Sequence, residues 1–334
     1  MLPQYSQITG WGKYVPEKIV TNFDLEKTLD TSHEWILQRT GIEERRIAAD
    51  QETTATMSVA AAKQALAVAN LTPQDLDLII ASTSTPDYFM PAVSSTIQAM
   101  LGAGCPAFTI STGCTAFVYG LVTAHQYIAT GAFENILVIG AELVSRFLDW
   151  EDRNTCVLFG DGAGAVVLSR SDTPGGVLAF DLGSDGEKGM VLAMEGGGSA
   201  KPMSHEVIEH GHNYLRMNGR EVFKFATRIL PQSTKTLLER GNVSLDDIDL
   251  LIPHQANRRI IQMATRSLKL DPDKVFVNLH KYGNTSAASI PLALIEALEE
   301  DRIKAGDKLA LVSFGAGLTW ASALVQWGSA NGRG

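Results

Sequence analysis

The sequence predicts an α/β protein made of two duplicated halves, and three observations carry that prediction. Short apolar runs alternate along the 334 residues with longer segments of helical periodicity, the order expected when helices cover a sheet. The segment Asp75-Leu76-Asp77-Leu78-Ile79-Ile80 recurs as Asp247-Ile248-Asp249-Leu250-Leu251-Ile252, 172 positions later. Phe108-Thr109-Ile110 with Gly113-Cys114 has a counterpart in Phe276-Val277-Asn278 with Gly283-Asn284, and Leu137-Val138-Ile139-Gly140 resembles Ala310-Leu311-Val312-Ser313, at separations between 168 and 173. One match between apolar strands means little. Three that shift together by half the chain length indicate a duplication.

The helical patterns run over 55–69, 114–129, 222–239, 256–268 and 290–300. Asn70 and Gly241 suit C-terminal stops, and Pro291 suits a first helical turn. With strands between them, this order predicts mainly parallel sheets whose chemistry lies at the strands' C-terminal ends. The turn Asp172-Thr173-Pro174-Gly175-Gly176 divides the chain into expected halves of 1–172 and 173–334.

Composition narrows the function classes. A net charge of −9 opposes general nucleic-acid binding, which needs a basic surface. Three cysteines without a C-x-x-C pair oppose a disulfide framework and a structural zinc site. No apolar run approaches the length that spans a bilayer, and the first residues lack the pattern of a secretory signal. The expectation is a cytoplasmic protein with no membrane partner and no metal.

Cys114 stands where the run Ala107 to Thr112 meets an apolar, small-residue helical pattern. A sulfur at such a junction lies near the free N–H groups of a helix start, whose partial positive charge favours thiolate. It is a candidate nucleophile, although an isolated cysteine is also a common core residue. If the halves superpose, Cys114 faces Asn284 across one cleft, since each follows a glycine and precedes a small-residue helix. His254, at the end of the strand beginning at Leu250, is a third group at a strand end.

Cysteine, histidine and asparagine together suit acyl transfer. A thiolate can hold an acyl group as a thioester, while a neutral imidazole and an amide can donate hydrogen bonds to a developing oxyanion or enolate. A cysteine protease uses the same residue types, but an α/β duplication does not suit that reading.

The segments TGCTAFVYG around Cys114, PHQANRRI around His254, YGNTSAASIPLAL around Asn284, LFGDGAGAVVL and SFGAGLTW resemble the signature set of the β-ketoacyl-acyl carrier protein synthase III family, over about Ile8 to Trp327. The resemblance implies a thiolase-like fold with two duplicated α/β halves in a five-layer α-β-α-β-α arrangement. It implies an acyltransferase that condenses a short-chain acyl-CoA with malonyl-acyl carrier protein, releasing CoA and CO2 and initiating fatty-acid synthesis. Cys114 would carry the acyl group, and His254 and Asn284 would stabilise the enolate left by decarboxylation. The backbone N–H groups of Cys114 and Ala316 would form the oxyanion hole, alanine standing where relatives usually have glycine. Acyl-CoA and malonyl-acyl carrier protein are then substrates, and no cofactor is implied. A secondary-metabolite enzyme of the same type and a non-catalytic partner subunit are the alternatives.

The same resemblance assigns CoA and pantetheine contacts to Thr31, Trp35, Arg39, Arg153 and Asn257, with Trp35 and Arg153 stacking on the adenine. Without it, Trp35 and Arg39 read as packing and solvated charge, and Asn257 as a helix cap. Met90, in Phe89-Met90-Pro91, matches the loop that closes the acyl pocket of the partner in a homodimer. Lys224, Arg259 and Arg266, with Lys269, form a basic stripe suited to an acidic carrier protein. Gly160-Asp161-Gly162-Ala163-Gly164 lacks a full G-x-G-x-x-G and reads as close strand packing. His205, His210 and His212 have no helical metal spacing, Cys105 reads as a loop or packing residue, and Cys156 reads as part of a strand.

Overall fold

The computed structural model describes residues 5–328. The outermost ends of the two expected halves, 1–4 and 329–334, lie outside the described residues. Nine strands form the main sheet: β1 (Tyr5–Tyr14), β2 (Leu78–Ser82), β3 (Ala107–Ile110), β4 (Asn135–Glu142), β5 (Gly162–Ser171), β6 (Gly176–Ser184), β7 (Leu250–Pro253), β8 (Lys308–Gly315) and β9 (Thr319–Gln326). Seven helices matter here: α1 (His33–Thr40), α2 (Thr54–Ala69), α3 (Val93–Leu101), α4 (Ala116–Ala129), α5 (Gly219–Gly241), α6 (Arg258–Leu268) and α7 (Ser289–Glu299).

The strand order β7-β8-β9-β6-β1-β5-β4-β2-β3 contains the same pattern twice. From β1 outward the first half runs β1-β5-β4-β2-β3, and from β6 outward the second runs β6-β9-β8-β7. A parallel bridge from Leu251 to Val275 stands where β3 stands in the first half. The two patterns meet at one parallel pair, Ser6 with Gly176. The three sequence matches fall on corresponding places: β2 with β7, β4 with β8, and β3 with the bridged segment after Val275.

Packing sets the layers. Helices α2 and α3 cover one face of the first half, through Ala61, Ala65 and Ile97 against Ile79, Leu137 and Val167. Helices α5 and α6 cover the far face of the second, through Ile229, Leu230 and Ile260 against Ala310 and Val312. Helices α4 and α7 lie between the halves, with Phe117, Leu121, Ile290 and Leu294 joining residues of both in one core. The result is α-β-α-β-α. Burial of such apolar faces is the main favourable contribution to the fold, and the small residues of α4 and α7 allow two helices to fit between the two halves of the sheet.

Two expectations need correction. The sheets are mixed, because β1/β5, β4/β5, β8/β9 and β6/β9 are antiparallel. Only the turn Ala316–Leu318 joins β8 to β9, too short for the crossover that a parallel pair requires. Cys156 lies in a turn and not a strand, buried beside Val157 and Phe159. Helix boundaries otherwise fall within a few residues of the expected ones, and α2 ends at Asn70 in the left-handed conformation (φ 55°). In α5, Gly241 is the last helical residue and Asn242 supplies the left-handed cap.

The glycine-rich stretch is a packing device. A Cβ on Gly164 would lie 2.6 Å from Pro291 Cβ, and one on Gly140 would lie 2.4 Å from the Ala287 carbonyl oxygen. Their absence lets α7 and the turn before it press onto β5 and β4, which brings the segment after Asn284 to the end of β4.

Candidate active site

Cys114 occupies a single 3-10 turn, Gly113–Thr115, that leads directly into α4. Gly113 has φ +60°, and its missing side chain leaves room for Ala316, whose N would lie 3.0 Å from a Cβ there. A Cβ on Gly315 would likewise lie 2.7 Å from the Cys114 backbone N. These two glycines let the backbone of the first half touch the end of β8 in the second. Ser313 Oγ donates to the Cys114 carbonyl at 2.8 Å and fixes the turn.

The sulfur is buried, and its environment carries opposing influences. Burial pushes the thiol up to about 12, and the nearby Glu142 charge adds to the rise, while the Ser286 hydroxyl at 3.4 Å opposes it. The N-terminus of α4 also favours the thiolate.

His254 follows β7, and its N–H donates to the Val312 carbonyl at 2.8 Å. The ring stands edge-on to Phe314, with centroids 5.3 Å apart. Its Nδ1 is buried and has no hydrogen-bond partner among the described residues. Burial lowers the imidazole to about 3, so the ring is neutral throughout the physiological range.

Asn284 is held by its backbone, whose N–H donates to the Leu158 carbonyl at 2.8 Å and whose carbonyl accepts from Gly160 N–H at 3.1 Å. The side-chain Oδ1 accepts from Ser286 N–H at 2.9 Å. That bond assigns the amide orientation and leaves Nδ2 as the donor of a side chain that lines the cavity.

The structure brings the three expected residues together. Cys114, His254 and Asn284 line one cavity of about 150 Å³ with Asn257, Phe223 and Phe314. A second cavity of about 180 Å³ adjoins it at Cys114 and is lined by Glu142, Phe147, Leu215, Ser286 and Ala316. Cys114 therefore lines two mainly apolar chambers, one carrying His254 and Asn284 and the other Glu142 and Ser286. The sequence reasoning missed Glu142 and Ser286. The signals were present: a carboxylate ending the apolar run NILVIGAE, and a serine two positions after Asn284.

The other expected contacts surround this centre. In α1 the Arg39 guanidinium lies 4.9 Å from the Trp35 ring centroid, and Arg153 lies 5.3 Å from it. A purine stacked between Trp35 and Arg153 needs two spacings of about 3.5 Å, so Arg153 must swing outward to admit one. It is held at present by Asp30. The Thr31 hydroxyl is buried without a hydrogen-bond partner among the described residues. Asn257 caps α6, its Oδ1 accepting from Arg259 N–H at 2.8 Å, while its Nδ2 donates to the Arg39 carbonyl at 3.1 Å. It therefore caps one helix and ties it to another while lining the cavity.

Lys224, Arg259, Arg266 and Lys269 are exposed and make no ion pair among the described residues. Met90 is 81 % exposed and lies outside both cavities of its own chain. Among the described residues no group of His, Cys, Asp and Glu is placed to hold a metal, and no helix is long and apolar enough to cross a membrane.

Residues 108–186 match the family described as 3-Oxoacyl-[acyl-carrier-protein (ACP)] synthase III, and residues 238–327 match the description 3-Oxoacyl-[acyl-carrier-protein (ACP)] synthase III C terminal. A beta-ketoacyl-[acyl-carrier-protein] synthase III of Caldanaerobacter subterraneus subsp. tengcongensis is 54% identical over 321 residues, which are 96% of this chain and 97% of the relative. The protein of the same name from Roseiflexus castenholzii is 50% identical over 98% of this chain and 99% of its own. The crystal structure of 3-oxoacyl-[acyl-carrier-protein] synthase III from Aquifex aeolicus VF5 superposes with a TM-score of 0.90 at 46% identity, covering 96% of this chain and 100% of that one. With the duplicated fold and the shared cavity around Cys114, these likenesses establish that the chain belongs to the β-ketoacyl-acyl carrier protein synthase III family.

Proposed function

We propose that the protein joins a short-chain acyl-CoA to malonyl-acyl carrier protein by decarboxylative Claisen condensation, giving 3-oxoacyl-acyl carrier protein, CoA and CO2 and so initiating fatty-acid synthesis. The observation that carries this reading is the meeting of Cys114, His254 and Asn284 in one cavity. The names of the relatives favour fatty-acid priming over a secondary-metabolite role, and the intact residue set argues against a non-catalytic subunit. The halves 1–172 and 173–334 then contribute the nucleophile and the two hydrogen-bond donors respectively.

Cys114 attacks the acyl-CoA carbonyl and retains the acyl group as a thioester while CoA leaves. Malonyl-acyl carrier protein then enters on the His254 side. Loss of CO2 leaves an enolate whose oxygen takes hydrogen bonds from the His254 ring and Asn284 Nδ2. A neutral imidazole suits this task, because it keeps one N–H that can donate to the enolate oxygen. The enolate carbon attacks the acyl-Cys114 carbonyl, and the oxygen that becomes negative points to the N–H groups of Cys114 and Ala316. The reaction needs no cofactor beyond its two substrates. Alanine at 316 keeps the donor, since the backbone supplies it.

In the same reading, Thr31, Trp35, Arg39, Arg153 and Asn257 hold the CoA and pantetheine, and the face bearing Lys224, Arg259 and Arg266 docks the acidic carrier protein. Met90 would close the acyl chamber of a partner in a homodimer, and the protein would act in the cytoplasm. Intact-mass measurement after mixing with a panel of acyl-CoAs tests the central claim. An acyl increment absent from Cys114→Ser supports it, and no increment with any member overturns it.

A further inference from the structure

Among the described residues Glu142 is the only carboxylate lining either chamber at Cys114, and the condensation described above gives it no task. It is wholly buried at the end of β4. Burying a carboxylate is costly unless donors surround it, and three are provided. Ser84 N–H and Thr85 Oγ donate at 2.9 Å each, and Ser286 Oγ lies 3.3 Å from Oε1.

The third partner leads to the nucleophile. Ser286 Oγ is also 3.4 Å from Cys114 Sγ, so one hydroxyl bridges the carboxylate and the sulfur. A hydroxyl has one proton, so it donates to one neighbour and accepts from the other. With the sulfur protonated, the connected arrangement is S–H to Ser286 Oγ and Ser286 O–H to Glu142. The bridge is built at a conformational cost: Ser286 has φ +49°, the left-handed region that non-glycine residues seldom occupy and that concentrates at functional sites.

We propose that Ser286 and Glu142 form the route by which the thiol proton leaves Cys114 when the sulfur is acylated. The proposal rests on the acyl-CoA reading above for the identity of the acyl donor. The Cys114 proton passes to Ser286 Oγ as the Ser286 proton passes to a Glu142 oxygen. The freed sulfur electron pair forms the bond to the acyl carbon, and the carbon–sulfur bond to CoA breaks with its pair on the CoA sulfur. The relay proton returns through Ser286 to that sulfur. Thiol plus thioester thus becomes thioester plus thiol.

The electrostatics suit an acceptor that works near neutrality. Burial raises the Glu142 carboxyl to about 7, against the pull of its three donors, and the charge of Asp161 adds to the rise. The titratable groups facing it are therefore the Cys114 thiol, across Ser286, and Asp161. Such a group can take up a proton and release it again.

Glu142→Gln provides a test in which two explanations predict opposite signs. If Glu142 is only a nearby negative charge that holds the thiol protonated, removing it speeds reaction at the sulfur. If it accepts the proton, removing it slows reaction. The rates of Cys114 acylation by acetyl-CoA and alkylation by iodoacetamide are followed against pH from the mass of the Cys114 peptide. For the wild type, both should rise and level above about pH 7. For Glu142→Gln, both should fall by about 10²-fold at neutrality and climb with pH without levelling. Ser286→Gly cuts the bridge with a residue that tolerates the local backbone, and should give the same loss even if Glu142→Gln does not fold. Unchanged or faster reaction in either folded variant overturns the relay. Loss of acetyl-CoA acylation in the wild type, with the iodoacetamide profiles as expected, overturns the acyl-donor reading and leaves the relay supported.

Discussion

The N–H of Ser286 donates to Asn284 Oδ1 at 2.9 Å, so the residue that touches the sulfur also orients the amide beside it. One turn of backbone after Gly283 therefore arranges both chambers. Asn284→Asp keeps the acceptor for Ser286 and loses the Nδ2 donor. Decarboxylation of malonyl-acyl carrier protein should fall by about 10²- to 10³-fold while acyl-CoA still labels Cys114. Simultaneous loss of labelling would show that the amide acts in both half-reactions.

His254 should remain uncharged in the folded protein well below the usual histidine range. Its folded value is about 3 against an ordinary 6.5, so the unfolded state binds the proton first. The stabilising contribution is fully present above about pH 6.5 and is lost as pH falls toward 3. The ring's NMR signals should show a neutral tautomer at pH 5, and a signal titrating near 6.5 would contradict the burial argument. His254→Asn should weaken the acid-side fall in stability, measured by urea unfolding at pH 7 and pH 5.

Gly140→Ala tests the packing that delivers Ser286. The added Cβ would meet the Ala287 carbonyl oxygen at 2.4 Å, and backbone at that distance has to move. A loss of about 1–3 kcal/mol is expected, seen as a lower Tm, together with slower Cys114 acylation because the Ser286 turn shifts. Unchanged kinetics in the destabilised variant would separate the packing from the site.

Arg259→Glu should raise the apparent KM for malonyl-acyl carrier protein and leave acyl-CoA labelling of Cys114 unaltered. The wild-type KM for the carrier protein should rise with ionic strength, since exposed charges act at distances comparable with the screening length. The variant should lose most of that salt dependence. Equal impairment of both half-reactions would remove the docking assignment.

Trp35→Ala should weaken acyl-CoA more than an acyl-pantetheine that lacks the nucleotide. A stacking and cation–π contribution of about 0.5–1 kcal/mol at this partly buried ring corresponds to a severalfold rise in KM. The same rise for both donors would place Trp35 in general packing.

The sequence by itself determined the duplication, the loops that present Cys114, His254 and Asn284, and the glycines that later proved to be close contacts. Those features are local or periodic, and period and repeat survive in one dimension. It also carried Asn257 as both cap and candidate contact, because capping chemistry depends on residues only two or three apart. Strands β1, β6 and β9 passed unread, and β5 was read without its direction: these directions come from hairpin and cross-half pairing, which no local pattern encodes. Tertiary structure alone decided the bridge from Glu142 through Ser286 to Cys114. Those residues are far apart in the chain, and their hydrogen bonds exist only once the turn before α7 is pressed against β4 and the two halves close over one buried sulfur.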